Sequence, residues 1–253
     1  MNAWVTGLIT LACVLAGAML GLRLQRVLPE HHLSAGSQDV VKLVAGLLAT
    51  LSALVLGLLI ASAKGTFDAV RDGLRQSAAK VIVVDRLLAD YGPEAKAARD
   101  DLKRGYAERI AKLFPGERGG DLQADRRLSA SALVDIQRSL QTLAPATDAQ
   151  RDLVNRARRI ADEAADARWL TFEESTTSTP PVFIAVVVSW LVMMFASFGL
   201  FSPRNGTTLA ALFCGALAVA TSIVLIEEMN QPLSGVIAIS SEPLRSALSV
   251  LGQ

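Results

Sequence analysis

The apolar and charged positions of this chain are separated into long blocks. Four uncharged, predominantly apolar stretches, two near each end of the sequence, are Trp4–Leu22, Leu43–Ala63, Val182–Phe201 and Leu209–Ile226. A helix rises about 1.5 Å per residue, so each stretch is about long enough to cross a hydrocarbon core of roughly 30 Å. The pattern predicts a membrane protein with four spanning helices.

Nearly all the charge lies between the second and third stretches. Residues 64–180 hold 39 of the 49 charged side chains, 20 of them basic and 19 acidic. This predicts an all-α chain in which two transmembrane hairpins flank a water-soluble helical bundle. The expected parts are a first hairpin over residues 1–63, the bundle over 64–180, a second hairpin over 181–228 and a C-terminal tail over 229–253.

The charged segment opens with the periodicity of a helix. Apolar residues from Phe67 to Leu88 recur at spacings of three, four and seven, and no proline lies between Ala63 and Tyr91. The second span is therefore expected to continue without a break into the first soluble helix and to stop at Gly92.

Three further helices are expected in the bundle, over residues 93–113, over 125–143 and from Thr147 onward. Thr147 and Gln150, three residues apart, are spaced as a capping box. The four helices are expected to form an antiparallel bundle. In the tail, a short amphipathic helix is expected after Ser241.

The composition excludes several classes of function. The bundle has no basic excess, which argues against nucleic acid as a partner. Both cysteines, Cys13 and Cys214, lie in apolar stretches and form no metal or redox motif. No phosphate-binding glycine loop or nucleophile elbow occurs, and the bundle contains no histidine. We therefore expect no enzyme activity, no cofactor and no metal.

The histidines, His31 and His32, are adjacent in the connection between the first two stretches. Imidazole titrates near neutral pH, so this loop is a candidate pH sensor. Adjacent histidines beside Glu30 and Asp39 lack the spacing of a recognised metal motif. The alternative is a polar loop at the membrane interface.

Two carboxylates, Glu227 and Glu228, close the fourth stretch. Carboxylates at a membrane boundary can line an ion path or pair with a basic residue. They can equally be solvated residues at a helix end, although negative charge there opposes the helix dipole. Both interpretations stay open at the level of sequence.

Small residues recur at every fourth position of the second stretch. They are Ala45, Ala49, Ala53, Gly57, Ala61 and Gly65. Residues four apart lie nearly above one another on a helix, so the spacing predicts a groove along which another helix could approach closely. The first span offers a shorter version at Cys13, Gly17 and Gly21. The partner could belong to the same chain or to another subunit.

Several segments together resemble a bacterial family of four-span membrane proteins of unknown function called bestrophin-like. They are Leu28–His32 with Asp39, Leu54–Lys64, Asp85-Arg86 with Tyr91–Ala95, and Glu227–Gly235. The resemblance extends over nearly the whole chain. It implies a comparison with bestrophins, which are pentameric anion channels with four spans and a cytosolic helical domain between spans two and three.

The resemblance implies an oligomeric ion channel, for anions, whose second span lines the pore with an apolar neck. No pore residue of this chain is matched to that neck one by one. The acidic calcium-binding run that follows the last span of animal bestrophins is reduced here to Glu227-Glu228, so calcium gating is not expected. The implied partners are the lipid bilayer and further copies of the chain, and a pentamer is implied by the resemblance alone.

The alternative hypothesis is a membrane-anchored scaffold or sensor whose bundle binds a protein partner. Four spans place the bundle and both termini on one side of the membrane. Basic residues in the short loops favour an external bundle, whereas Lys64, Arg71, Arg75 and Lys80 beside span two favour a cytosolic one. With the resemblance, we expect a bacterial inner (cytoplasmic) membrane and a cytosolic bundle.

Overall fold

The computed structural model describes residues 2–29, 35–114, 139–176 and 181–253, with the side chains of all of these except 165–176 and 181. This part of the chain is helical and contains no strand. The helices are α1 (Ala3–Val27), α2 (Ala35–Tyr91), α3 (Lys96–Leu113), α4 (Asp148–Thr176), α5 (Pro181–Phe201), α6 (Gly206–Met229) and α7 (Glu242–Val250), with a 3-10 turn at Pro93–Ala95.

Four of these helices, α1, α2, α5 and α6, are long and apolar enough to cross a membrane. Each contains one of the apolar stretches, and they stand two before and two after the charged segment. The predicted all-α fold with four spans is therefore confirmed.

The second span continues into the charged segment, as predicted. α2 is a single helix of 57 residues from Ala35 to Tyr91. It is followed by Gly92, whose backbone φ of 124° is rarely adopted by residues that have a Cβ atom. Pro93 then starts the short turn that leads into α3.

Backbone contacts divide the chain into two compact units. The first contains residues 1–65 and 178–230, and so holds α1, the apolar part of α2, α5 and α6. The second contains residues 66–177 and 231–253, and so holds the rest of α2 with α3, α4 and α7. The C-terminal tail thus groups with the charged segment.

In the first unit, α1 and α5 run parallel with their backbones in contact. A Cβ atom on Gly17 would lie 2.8 Å from the carbonyl oxygen of Val192, and one on Gly199 would overlap the carbonyl oxygen of Ala18. Gly21 meets the backbone of α5 in the same way. Lipid gives no hydrophobic gain for helix association, so this close approach is what stabilises the pair.

α6 packs antiparallel on α1. Gly7, near the start of α1, contacts the Val224 side chain near the end of α6. At the other end, Arg204 precedes α6 and donates to the backbone carbonyl of Leu22 in α1. Asn205 caps α6 by accepting from the backbone N–H of Thr208 at 2.8 Å. α1 therefore contacts both α5 and α6.

In the second unit, α3 runs antiparallel to the soluble part of α2. Arg109 donates to Ser77 at 2.9 Å, and Arg99 donates to Asp85 at 2.9 Å. Residue numbers thus increase along α3 as they decrease along α2. The apolar core between the helices of this unit includes Val70, Leu74, Val81, Leu88, Leu102, Tyr106, Ile110, Leu113, Leu140, Val154, Leu244 and Leu251.

α4 is also antiparallel to α2. Gln150 at its start donates to the carbonyl of Tyr91 at 3.1 Å, and Glu163 pairs with Lys80 at 3.6 Å. The predicted capping box is confirmed. The backbone N–H of Gln150 donates to the Thr147 hydroxyl at 3.1 Å, and the backbone N–H of Thr147 donates to the Gln150 amide oxygen at 3.3 Å.

The tail packs on the second unit. α7 is the predicted amphipathic helix, and Leu244 within it and Leu251 just after it are completely buried. The last residues are held by polar contacts in addition to this apolar face.

We call the group that holds the end of the tail the tail clamp; it comprises Asp85, Arg99 and Lys103. Arg99 Nε and Nη2 each donate to one carboxylate oxygen of Asp85 at 2.9 Å. The backbone N–H of Gly252 also donates to Asp85, at 3.1 Å, and Lys103 Nζ donates to the carbonyl of Leu251 at 2.8 Å. The clamp thus joins α2, α3 and the tail.

The charges of the clamp set the pKa of Asp85. The residue is only 4% exposed, and this burial by itself raises the pKa of its side chain. The hydrogen bonds from Arg99 and Gly252, and the positive charges of Arg99 and Lys103, outweigh burial and lower the pKa below its ordinary value. Hydrogen bonding to Asp85 in turn raises the pKa of Arg99.

Two predictions fall wholly or partly outside the described residues. The third bundle helix, expected over 125–143, lies outside them up to residue 138, while residues 139–141 are helical. The loop with His31 and His32 also lies outside.

The contact between α1 and α5 predicts that Gly199→Ala destabilises the first unit, which contains the apolar helices and is called the membrane unit below. The new methyl group would overlap the α1 backbone, which costs about 1–3 kcal/mol and exceeds the gain of up to about 1 kcal/mol in helix propensity. Gly206→Ala, where a Cβ meets nothing within 4 Å among the described residues, is the control. Thermal unfolding in detergent should show a lower midpoint for Gly199→Ala alone, and equal midpoints would contradict the packing.

The clamp predicts that Asp85→Asn loosens the tail. Removing the carboxylate leaves a partly buried guanidinium unpaired, which costs roughly 3 kcal/mol, the low end for buried pairs. Hydrogen exchange of the amides in residues 244–252 should accelerate more than tenfold. Asp72→Asn, which removes a surface pair with Arg71, should change it little.

The same clamp predicts a dependence on pH. Because the folded pKa of Asp85 is lowered, its stabilisation is complete above the unfolded pKa of about 4 and is lost as pH falls through the folded value. Tail protection should therefore be unchanged between pH 7 and pH 5 and should decline below about pH 4. A decline that is complete at pH 5 would be inconsistent with the paired carboxylate.

Candidate functional site

The apolar part of α2 has one face that packs within its own chain. Ala45, Ser52, Leu59 and Ala63 are buried there, at spacings of seven, seven and four. These spacings keep the four residues on one side of a helix, because 3.6 residues make a turn. Three of these four side chains are small, which allows neighbouring helices to approach this side.

The opposite side of the same segment is apolar and uncovered. Leu43, Leu47, Leu54 and Leu58 lie there, with 60–77% of each residue exposed. At about 100° per residue, these positions lie on average about 155° around the helix from the buried face. We call these four residues the leucine face.

A basic residue stands at each end of this uncharged segment. Lys42 and Lys64 are both exposed and lie 22 positions apart, which corresponds to about 33 Å along a helix. That distance matches the thickness of a hydrocarbon core, roughly 30 Å. The two ammonium groups can therefore reach the two polar boundaries of a bilayer.

The ladder of small residues does not follow a single face of α2. Ala45 is buried and Ala49 half-buried, whereas Ala53, Gly57, Ala61 and Gly65 are exposed. A step of four residues turns about 400° around a helix, so each rung moves by about 40°. The ladder therefore winds from the buried face across one flank toward the leucine face. Whether its exposed rungs contact the first span of the same chain or another subunit stays open.

The two boundary carboxylates lie in different surroundings. Glu228 is buried, with 6% of the residue exposed, and interacts within the chain. Glu227 is half-buried and lines an open groove between α1 and α5. Neither lies on α2, so the structure does not bring them together with the leucine face. Their ionic role stays a prediction.

The groove beside Glu227 has a volume of about 760 Å³. We call it the α1–α5 groove; its lining residues on these two helices are Thr6, Ile9, Thr10, Cys13, Ala16, Gly17, Leu20, Ile184, Ala185, Val188, Ser189, Val192 and Met193. All belong to the membrane unit. Its described lining is mostly apolar, and the one charged side chain among these residues, Glu227, lies at the end where α1 begins and α6 ends.

The described residues contain no group of three or more metal-ligating side chains. His31 and His32 lie outside this part of the chain, so the predicted pH-sensing loop stays a prediction. Sequence reasoning missed the tail clamp and the role of Gly199. Asp85 borders an apolar stripe on α2, which is a signal for a buried ionic contact, whereas Gly199 had no such signal.

Comparison with known proteins agrees with this architecture. The model of the bestrophin-like domain matches residues 12–244. Two crystal structures of a bacterial bestrophin homolog from Klebsiella pneumoniae, each with a different single substitution, are similar in fold. Their TM-scores are 0.69 and 0.66 at 15% identity, over 97% and 95% of this chain and 99% of theirs. No curated protein matches the chain in sequence.

The domain match extends over most of the chain, from the middle of α1 into α7, and includes both units. The order of two spans, helical segment and two spans is therefore that of a recognised domain, and the chain belongs to the bestrophin-like family.

Proposed function

We propose that several copies of the chain assemble around an axis and form an anion channel lined by the leucine face of α2. The observation that carries this proposal is that α2 presents an uninterrupted apolar face directly opposite the side that packs within its own chain. A pore-lining helix needs two opposite faces: one packs against its own subunit, and the other borders the ion path.

An apolar lining suits a gate better than a binding site. A narrow passage lined by leucine excludes water until it widens slightly, so it can control ion flow by dewetting. Lys42 and Lys64 at the two ends would attract anions toward the passage and disfavour cations. The preference for anions rests on these lysines and on the resemblance to bestrophins.

The flank of α2 supplies a surface for contact between copies. The exposed rungs of the ladder, Ala53, Gly57 and Ala61, lie beside the leucine face, where neighbouring pore-lining helices would meet. Small side chains let helix backbones approach closely in a membrane. A homo-oligomer is thus part of the proposal, and a pentamer is its form by resemblance.

The location proposed for the protein is a bacterial cytoplasmic membrane with the helical segment in the cytosol. Lys64, Arg71, Arg75 and Lys80 next to the second span support that orientation. Membership in the bestrophin-like family favours a transport function over an enzyme and over a scaffold that binds a protein partner.

The leucine face predicts that Leu54→Ser increases anion flux. A hydroxyl group in the apolar passage lowers the cost of wetting it, so chloride efflux from proteoliposomes should rise severalfold. Leu217→Ser, at an exposed leucine on α6, is the matched control and should leave flux near the wild-type rate. Equal effects of the two substitutions, or no flux from any protein, would contradict the proposal.

The ladder predicts that Gly57→Leu weakens assembly. An added isobutyl group would separate helices that approach at this position, so the fraction of oligomer in mild detergent should fall. Ala210→Leu, at an exposed position of α6, should not change it. Light scattering gives the mass and circular dichroism checks that helix content is retained; an unchanged oligomer in the Gly57→Leu variant would remove this contact from the proposal.

A further inference from the structure

We propose that the α1–α5 groove binds a phospholipid with a primary ammonium headgroup, such as phosphatidylethanolamine. One acyl chain would lie along the groove, and the ammonium group would bind at the end with Glu227 and Thr6. This site is separate from the leucine face and does not depend on the channel proposal.

The dimensions of the groove fit an acyl chain. Its lining on α1 extends from Thr6 to Leu20, which is about 21 Å along the helix. One leaflet contributes about half of a hydrocarbon core of roughly 30 Å. The groove is therefore long enough to hold one chain of one leaflet. Its volume of about 760 Å³ leaves room for a chain of that length.

The packing of α1 on α5 forms the groove. The backbones meet at Gly17 and Val192, so the floor is closed by main-chain atoms. The sides of the groove are formed by the larger side chains Ile9, Leu20 and Met193, which are about half exposed or more. Small residues therefore leave a channel open between larger ones, and its walls are aliphatic along most of the length.

Polar groups without partners occur at one end only. Among the described residues of the lining, Glu227 is the only charged side chain, and the described residues give it no ion pair. Thr6 is 9% exposed, and its hydroxyl has no hydrogen-bond partner in the part of the chain described. The other hydroxyls are satisfied, because Thr10 donates to the Thr6 carbonyl at 2.9 Å and Ser189 to the Val186 carbonyl at 2.7 Å.

These two groups favour a primary ammonium ion over other headgroups. A carboxylate and a hydroxyl oxygen both accept hydrogen bonds, and an ammonium group has three N–H donors and a positive charge. A choline headgroup has the charge but no N–H donor, and a glycerol headgroup has no cation. An uncompensated carboxylate beside apolar walls is costly, so a cation that reaches it stabilises the complex.

The test measures lipids bound to the intact protein. The chain is reconstituted with equal parts of dioleoyl phosphatidylethanolamine, phosphatidylcholine and phosphatidylglycerol, and bound lipids are counted by native mass spectrometry. A hydrogen bond to a charged group is stronger than one between neutral groups, so we expect the ethanolamine lipid to be retained about tenfold or more over the others.

The variants separate the site from general lipid binding. Glu227→Gln should reduce retention of the ethanolamine lipid about tenfold, and Thr6→Val should reduce it less. Glu242→Gln, at an exposed carboxylate of the second unit, should leave it unchanged. Equal retention of the three lipids by the wild-type protein, or no effect of Glu227→Gln, would overturn the proposal.

Cys13 lines the groove and reports on its occupant. In a Cys214→Ala background, a fluorophore on Cys13 should be quenched by an ethanolamine lipid that carries a nitroxide on its acyl chain. If the groove instead receives a second copy of the chain, a bifunctional maleimide should link Cys13 between copies and the nitroxide lipid should not quench, which would also overturn the proposal. Because none of these readouts is an ion flux, their failure is distinguishable from failure of the channel proposal.

Discussion

In the hydrocarbon region no water can replace a missing backbone hydrogen bond, so the apolar part of α2 must bond every N–H and C=O within the helix. The helix persists beyond that region because its apolar stripe continues and no proline interrupts it before Gly92. One side of the apolar part of α2 packs within its own chain. The later part of the same helix contributes to the core of the second unit. Its side chains differ accordingly, and the leucine face is a part of it that the described residues of the single chain leave exposed.

Features that depend on the spacing of residues along one helix could be predicted from the sequence better than contacts between helices. The continuity of α2, the Thr147–Gln150 capping box and the amphipathic α7 each depend on neighbours a few positions apart, and all three were predicted. The ladder was harder, since a spacing of four drifts by about 40° per step and does not keep one face. The contact of Gly199 with Ala18 joins positions about 180 residues apart, and nothing in either segment alone indicates it.

Asp85 and Glu227 differ in whether nearby groups compensate their negative charge. Asp85 is buried but accepts hydrogen bonds from Arg99 and the tail, so its charge is compensated and serves to hold the chain together. Glu227 borders an apolar groove in the membrane unit and has no such partner in the part of the chain that the structure describes. Sequence alone did not separate these cases, because both residues flank an apolar run. Compensation by an arginine fourteen positions away is a property of the packed bundle.

The central claim is that the leucine face of α2 borders an aqueous path in the assembled protein. It is tested most directly by a cysteine at Leu54 in a background with Cys13→Ala and Cys214→Ala, treated with a charged, water-soluble thiol reagent during anion flux. The account predicts that the reagent modifies the Leu54→Cys protein and blocks flux, while a Leu217→Cys protein stays unmodified and active. Modification by a lipid-soluble reagent alone, with flux unaffected, would mean that this face meets lipid and would contradict the account.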